Sequence, residues 1–99
     1  MSPGFTFDPA AVGDSRPVAV MLGELLREIS AASGVEALDF DLNETQGRLE
    51  DYLVQGRYFV FVARARRQHP EGFLTLCETC ALYPGGTFGI IPELYVRPA

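Results

Sequence analysis

Residues 58–63 constrain the fold more than any other segment, because they form a strand-like run that is apolar on both faces. Alternate side chains of a strand point to opposite faces. One face carries Tyr58, Val60 and Val62, and the other carries Phe59, Phe61 and Ala63. A sheet that is apolar on both faces needs a layer of structure on each side. The segment therefore predicts a sheet that has to be covered twice.

Two amphipathic helices are predicted upstream of this strand. The first covers about 16–32 and ends at Ser33-Gly34. Its apolar residues at helical spacing, which we expect to be buried, are Val18, Leu22, Leu25 and Ile29. The second begins at Asn43, with Gln46 three residues later as in a capping box. Two helices normally cover one face of a sheet, so the other face is expected to lack a cover within the chain.

Four strands complete the predicted order β-α-α-β-β-β. A short strand is expected near residues 4–8, and three long antiparallel strands are expected over 58–64, 73–82 and 87–97. The predicted fold class is α+β, with a mainly antiparallel sheet and two helices on one face. A chain of 99 residues and 10.9 kDa is expected to form a single domain, residues 1–99.

The charge balance excludes several functions. Acidic residues outnumber basic ones by 13 to 8, for a net charge of −5, which disfavours a nucleic-acid partner because phosphates need a basic face. All basic residues are arginine, so lysine-based covalent chemistry is excluded. No stretch approaches the roughly 20 apolar residues of a membrane span, and residues 1–8 lack the pattern of a secretory signal. We therefore expect a cytoplasmic protein with no membrane partner.

The two cysteines, Cys77 and Cys80, have the CxxC spacing of some metal sites. On an intact strand, residues three apart point to opposite faces, so the pair does not chelate one ion. A structural zinc site usually needs four ligands, and His69 is the only other soft ligand in the sequence. We expect two reduced thiols and no metal.

The element order and the final segment together resemble the GNAT superfamily of acetyl-CoA-dependent N-acetyltransferases. The phrase Glu93-Leu94-Tyr95-Val96-Arg97-Pro98 is similar to the end of that family's fourth strand. Gly72-Phe73-Leu74 is similar to the usual start of the strand before it. The resemblance covers nearly the whole chain but only the first half of the family's acyl-CoA N-acyltransferase fold.

In that family, the pantetheine arm of acetyl-CoA lies along the fourth strand and bonds to its backbone, a form of β-augmentation. The resemblance implies that Leu94, Tyr95 and Val96 supply this backbone, with an amide near Leu94 polarising the thioester carbonyl. It also implies that Glu93 takes the proton from the acceptor amine as general base. The alternative is that Glu93 is an ordinary strand residue. Pro92 fits a bulge, which the family's fourth strand carries near this point.

The family's glycine-rich pyrophosphate turn follows the Arg-Pro position, and the sequence stops at Ala99 before such a turn. We therefore expect an acetyltransferase half that binds acetyl-CoA weakly or not at all and is inactive alone. The alternative is a non-catalytic dimeric interaction domain derived from such a half.

The predicted partner is a second copy of the chain or a complementary C-terminal half. The last strand has an unpaired outer edge, and one face of the sheet lacks helices. A homodimer through the last strand and the open sheet face covers both surfaces. The residues expected at or near this interface are Ile90, Ile91, Leu94, Tyr95 and Val96.

Overall fold

Five strands and two helices make up the part of the chain that the computed structural model describes, residues 6–34, 40–56, 58–65, 69–80 and 87–98. They are strand β1 (Thr6–Pro9), helices α1 (Ser15–Ser33) and α2 (Leu42–Gln55), and strands β2 (Tyr58–Arg64), β3 (Pro70–Cys80), β4 (Thr87–Ile90) and β5 (Leu94–Val96), with a 3₁₀ turn at Val12–Asp14. The predicted α+β class is confirmed. The order matches the prediction except that the last strand is divided in two.

Both helices begin after aspartates and end at glycines. Asp14 precedes α1, and Gly34 ends it with a left-handed backbone, φ 75°. Asp41 precedes α2, and its carboxylate accepts a hydrogen bond of 2.8 Å from the Glu44 amide. The capping box predicted at Asn43 is therefore wrong, because Asp41 already has the extended backbone and the side-chain acceptor that an N-cap needs.

The strands form one antiparallel sheet in the order β1-β2-β3, and β4 and β5 both pair with the outer edge of β3. Cys77 of β3 lies opposite Ile90, and Leu74 lies opposite Leu94. Two residues separate the paired positions in β3, whereas three, residues 91–93, separate them in the edge strand. The extra residue is a β-bulge.

The bulge divides the strand that was predicted as continuous over 87–97. Pro92 has no amide proton to donate to the ladder, so pairing stops there and resumes at β5. Strand β3 begins at residue 70 rather than 73, and the predicted end at 82 lies outside the described residues. The first strand covers Thr6–Pro9, and the predicted positions 4 and 5 also lie outside them.

The core lies between the helices and one face of the sheet, so both helices cover the same face, as predicted. Its buried residues are Val18 and Met21 of α1, Leu49 of α2, Val60 and Val62 of β2, Phe73 of β3 and Tyr95 of β5. In β2 these are alternate residues, as the pattern at 58–63 predicted.

Helix α1 packs over only part of its length. Val18 is 3% exposed, and Leu22 and Leu25 are partly buried, in line with the prediction, but Ile29 is 51% exposed. The prediction for Ile29 is wrong because no described residue of α1 after Leu26 is buried. The last turns of the helix therefore extend beyond the layer that the sheet and α2 provide.

The opposite face of the sheet, called the open face below, is apolar in two rows that the strand register aligns. The first row is Pro9, Phe61, Leu74 and Leu94, and the second row is Phe7, Ala63, Gly72 and Val96. Phe7 is 75% exposed, Leu94 is 62% exposed and Val96 is 69% exposed. The expectation of a sheet that is apolar on both faces is confirmed.

Two further features concern membranes and metals. None of the helices in the described ranges has the length and apolar character that crossing a membrane requires. Among the side chains that the structure describes, no group of three or more His, Cys, Asp and Glu is placed to hold a metal ion. Cys77 is a free, partly buried cysteine, and it shares the unbroken strand β3 with Cys80, whose side chain lies outside the described residues.

A bidentate ion pair fastens α1 to the end of the last strand. Arg97 Nε and Nη2 each donate to a Glu24 oxygen at 2.9 Å, and Nη1 donates to the Pro70 carbonyl at 2.9 Å. The Tyr95 hydroxyl also donates to Glu24, at 3.3 Å. Paired arginine–carboxylate hydrogen bonds of this kind are stronger than neutral ones. The hydrogen bonds from Arg97 lower the pKa of Glu24, against the opposing effect of burial.

Replacing Glu24 by glutamine should lower the free energy of unfolding by about 1–2 kcal/mol at pH 7, because charged hydrogen bonds to Arg97 are lost. The Glu24 pKa is lowered in the folded state from its usual 4.5, so its contribution is present above pH 4.5 and is lost as the pH falls through the folded-state value. The difference between the two proteins should therefore vanish near the acid end of a series of urea unfolding curves.

The matched control is Glu44→Gln, which removes the exposed pair between Glu44 and Arg48. That pair contributes at most about 0.5 kcal/mol as a surface i,i+4 interaction. A Glu24→Gln loss no larger than the control's, or a loss that persists at low pH, would contradict the prediction.

Candidate active site

The bulge decides which face of the sheet Glu93 occupies. Cys77 pairs with Ile90 on one side and with Tyr58 on the other, and Tyr58 shares the helix side of the sheet with buried Val60. In an uninterrupted strand, Glu93 would point away from that side, because it lies three residues after Ile90. The extra residue of the bulge reverses the alternation and turns Glu93 toward the helices.

Two hydroxyl groups hold the Glu93 carboxylate. Tyr58 of β2 and Thr75 of β3 both donate to its Oε1. Thr75 Oγ1 also accepts from the Glu93 amide at 3.0 Å, and the Thr75 amide donates to the Glu93 carbonyl at 3.0 Å. Thr75 is 3% exposed, and these bonds satisfy a hydroxyl that would be costly to bury alone. No residue in the described ranges bonds to Oε2 of Glu93, which leaves that oxygen available.

Tyr58 is a persistent donor to this carboxylate. Burial, followed by the hydrogen bond to Glu93, raises the pKa of Tyr58 well above its usual value of 10.0. The phenol therefore stays protonated at neutral pH and keeps its hydrogen bond. Tyr52 of α2 packs beside it, with ring centres 5.2 Å apart, so the position of the Tyr58 ring is fixed from the helix side as well.

Glu93 lines a pocket of about 260 Å³ between α1, α2 and the sheet. The apolar and aromatic walls are Val18, Ala19 and Leu22 of α1, Leu49 and Tyr52 of α2, and Tyr58 and Phe73 of the sheet. The remaining wall residues are Thr45, Arg48, Thr75 and Glu93. A mostly apolar pocket with a few placed polar groups is typical of small-molecule sites.

Arg48 lies at the mouth of this pocket. Its side chain is 50% exposed, and its Nη2 lies 2.6 Å from Glu44 Oε1. The mouth therefore carries an ion pair, whereas the interior carries the carboxylate of Glu93.

The outer edge of β5 presents free backbone amides. The Glu93 carbonyl accepts from Thr75, and the Arg97 amide donates to β3. Bonding directions alternate along an antiparallel pair, so the amides of Leu94 and Val96 point away from β3. No strand in the described part of the chain pairs with this edge. The edge is therefore open to an extended ligand or to another strand.

Gly72 is required where β3 meets β5. A Cβ at this position would lie 2.7 Å from the Tyr95 carbonyl oxygen and 3.3 Å from the Val96 Cα. Any side chain would push β5 away from β3 and displace both Glu93 and the free amides. This contact gives a physical reason for the glycine in the phrase Gly72-Phe73-Leu74.

The predicted site residues divide between three places. The Glu93 side chain enters the pocket, whereas Leu94 and Val96 present amides at the edge and side chains on the open face. Tyr95 points into the core and is 6% exposed. Burial and the neighbouring carboxylates of Glu28 and Glu24 raise the pKa of Tyr95 to about 12. Its side chain therefore belongs to the packing of α1 against the sheet rather than to the ligand edge.

Two residues of the site, Tyr58 and Thr75, were not predicted as functional. Thr75 is a polar residue within the apolar run 73–76, on the same face as buried Phe73, which was a usable signal of an internal hydrogen bond. Tyr58 gave no such signal, because its bond to Glu93 joins strands that are distant in sequence.

Solved acetyltransferases share this architecture. A predicted acetyltransferase from Clostridium acetobutylicum, solved with acetyl-CoA, matches at TM-score 0.74 and 14% identity, over 95% of this chain and 60% of that one. A GCN5-related N-acetyltransferase from Ralstonia eutropha JMP134 matches at TM-score 0.71 and 21% identity, over 96% of this chain and 63% of that one. This chain carries part of the GNAT fold.

A protein from Arthrobacter sp. FB24, described as a proposed acetyltransferase, matches the same partial GNAT fold at TM-score 0.73 and 26% identity, over 95% of this chain and 55% of that one. The chain thus spans 55–63% of the length of these three proteins. The resemblance seen in the sequence is confirmed at the level of the fold. No protein-family model and no curated protein matches the chain in sequence.

Proposed function

We propose that the chain is the acceptor-binding part of a GNAT-type N-acetyltransferase, which transfers an acetyl group from acetyl-CoA to an amine. One observation carries the proposal: the bulge puts the held carboxylate of Glu93 in an apolar pocket, directly beside a strand edge with free amides. The partial GNAT fold supports it, because one protein with that fold was solved with acetyl-CoA.

Each residue has a chemical role in this proposal. Acetyl-CoA, when bound, supplies an acetyl group that is activated as a thioester. Glu93 accepts the proton that the acceptor nitrogen loses as this nitrogen bonds to the acetyl carbon. Tyr58 and Thr75 are positioning residues, since they hold Oε1 and leave Oε2 to face the acceptor. The Leu94 amide donates to the carbonyl oxygen on which negative charge develops. A proton from solvent completes the balance at the departing sulfur.

The residues present fit one part of acetyl-CoA and not another. The open edge at Leu94 and Val96 suits an extended amide chain such as pantetheine. A pyrophosphate usually binds the amides at a helix N-terminus. Here the residues before the two described α-helices are Asp14 and Asp41, whose negative charge opposes phosphate binding. The proposal therefore requires a complementary segment or partner chain that supplies the pyrophosphate site.

The 99-residue chain should bind acetyl-CoA weakly, with a dissociation constant above about 100 µM. The chain should bind acetyl-CoA less than about tenfold more tightly than S-acetyl-N-acetylcysteamine, a thioester without the pyrophosphate. A pyrophosphate site would add roughly 1.5–3 kcal/mol for each charged hydrogen bond, and the described residues do not supply these bonds. Isothermal calorimetry with both thioesters measures the two constants. A micromolar constant for acetyl-CoA would contradict the prediction.

An NMR titration with the truncated thioester tests the proposed function. The amide resonances of Leu94 and Val96 should move on titration, whereas that of Tyr95, which faces β3, should move much less. Acetylation of an amine by the same mixture, detected by mass spectrometry, is the second readout. Shifts confined to other parts of the sheet, together with no acetylated product, would reject the proposal.

The second candidate function is a non-catalytic dimeric interaction domain. The observation that favours it is the open face, where Phe7, Leu94 and Val96 are more than half exposed. The occupant proposed for this face is a second copy of the chain. Glu93 would then be structural, since its bonds to Tyr58 and Thr75 hold the bulge in place.

A further inference from the structure

The walls of the Glu93 pocket favour an apolar ligand body. Seven of the wall residues are aliphatic or aromatic, and the hydroxyl of Thr75 is already bonded to Glu93. Among the described wall residues, Thr45 and Tyr52 are therefore the two with a hydroxyl that is not bonded to Glu93. A sugar or other polyol would lose its hydrogen bonds to water here and find few replacements. A hydrocarbon or aromatic group would gain from burial against Leu22, Leu49 and Phe73.

The size of the pocket limits that body to about one ring. Its volume is about 260 Å³. An apolar cavity of about 150 Å³ holds a benzene molecule, so the remaining space accommodates a short chain and an amino group. The tilted ring pair of Tyr52 and Tyr58 offers aromatic surface for an aromatic ring or for an ammonium group.

The charged residues of the pocket favour a ligand with one cationic group, placed beside Glu93. Oε2 of Glu93 has no partner among the described residues, so an ammonium group gains a charged hydrogen bond in the interior. Arg48 at the mouth is already paired with Glu44, so a second ammonium group that reached outward from the ring would find no further carboxylate among the described wall residues. Diamines and polyamines are therefore disfavoured relative to monoamines.

We infer that the acceptor of the proposed transfer is a small arylalkyl monoamine, held with its ring between α1 and α2 and its nitrogen at Glu93; this inference rests on the proposed function. A protein lysine is excluded as the preferred acceptor, because its four-carbon stem brings no ring to fill the pocket.

Binding of four compounds to the 99-residue chain, three of them matched in shape by a phenyl ring on a short chain, is measured by NMR titration without an acetyl donor and tests the inference. They are 2-phenylethylamine, the neutral 2-phenylethanol, the anionic 3-phenylpropionate and the diamine putrescine. The expected result is that 2-phenylethylamine binds at least about tenfold more tightly than each of the others. Equal affinity for the amine and the alcohol, tighter binding of putrescine, or no binding of the amine at millimolar concentration would overturn the inference.

Glu93→Gln should bring the amine and the alcohol to within about threefold of each other, since the charge is lost but the apolar walls remain. Glu78→Gln, an exposed glutamate on β3 outside this pocket, should leave the ranking unchanged. The ranking on the unmodified chain decides the inference even if a variant fails to fold. Acetylation of putrescine in preference to 2-phenylethylamine would overturn the inference while supporting the proposed function. Binding of 2-phenylethylamine without its acetylation by any thioester would support the predicted ligand class and would count against the proposed function.

Discussion

Once a complementary chain has restored acetyl transfer, replacing Glu93 by glutamine should lower the turnover number by about a hundredfold or more, because a general base contributes roughly 10²–10⁴-fold. Glutamine keeps the length of the side chain, and its amide oxygen accepts the hydrogen bonds from Tyr58 and Thr75. The bulge is therefore expected to survive the change. The amide cannot take up the proton that the acceptor nitrogen releases, so the loss falls on the chemical step.

Affinity for the thioester should change by less than about threefold in Glu93→Gln, because the contact proposed for that ligand is the Leu94 amide rather than the carboxylate. Mass spectrometry of the acetylated amine gives the turnover, and the Leu94 resonance gives the thioester affinity. Glu78→Gln should leave both unchanged. Equal losses of turnover and thioester affinity would remove Glu93 from the role of base and would favour a structural role in the bulge.

The order of helices and strands was predictable because it depends on local periodicity. Leu22 and Leu25 recur at helical spacing, and residues 58–63 alternate as a strand does. The errors arose where tertiary contacts outweigh the local pattern. Ile29 continues the apolar stripe of α1 but lies beyond the layer that would bury it. Helix α2 was predicted to begin at Asn43, but its N-cap is Asp41. Both residues are good N-caps, and only the backbone conformation shows which of them caps the helix.

The site was less predictable than the fold. Glu93 was identified because residues 93–98 resemble the end of the fourth strand of the GNAT family. No local spacing of residues around Glu93 indicated a site. Pro92 indicated a bulge, but the direction in which a bulge turns the next residue depends on the register with β3. The hydrogen bonds from Tyr58 and Thr75 to Glu93 join residues that are distant in sequence, so a local sequence pattern cannot predict them.

The same register decides which residues of the last strand face the helices and which face the open side of the sheet. Glu93 and Tyr95 lie on the helix side, whereas Leu94 and Val96 lie on the open face. Uninterrupted pairing of the same residues would exchange these two sets, which would turn Leu94 and Val96 toward the helices and Glu93 to the open face. The proposed catalytic role and the proposed interface therefore depend on one irregularity in the edge strand.

The unmodified chain should form a homodimer through the open face at micromolar concentration. Its exposed apolar side chains there are Phe7, Phe59, Phe61, Leu94 and Val96. They present on the order of 500 Å² of surface, since a fully exposed aromatic side chain contributes about 200 Å². Two copies would then bury on the order of 1,000 Å², which reaches the lower range of specific interfaces. Tyr95, expected at the interface from the sequence, is buried in the core and is excluded from it.

Leu94→Asp should raise the dissociation constant of this dimer at least about a hundredfold, because two-fold symmetry places two unpaired carboxylates in one apolar interface. Leu94 is 62% exposed, so the change leaves the core of each copy intact. Val54→Asp is the matched control, since Val54 is 76% exposed on α2 and lies away from the open face. Sedimentation equilibrium should give about twice 10.9 kDa for the unmodified chain and for Val54→Asp, and a value near 10.9 kDa for Leu94→Asp. A single species near 10.9 kDa for the unmodified chain would reject the dimer, and equal dissociation by both variants would place the interface elsewhere.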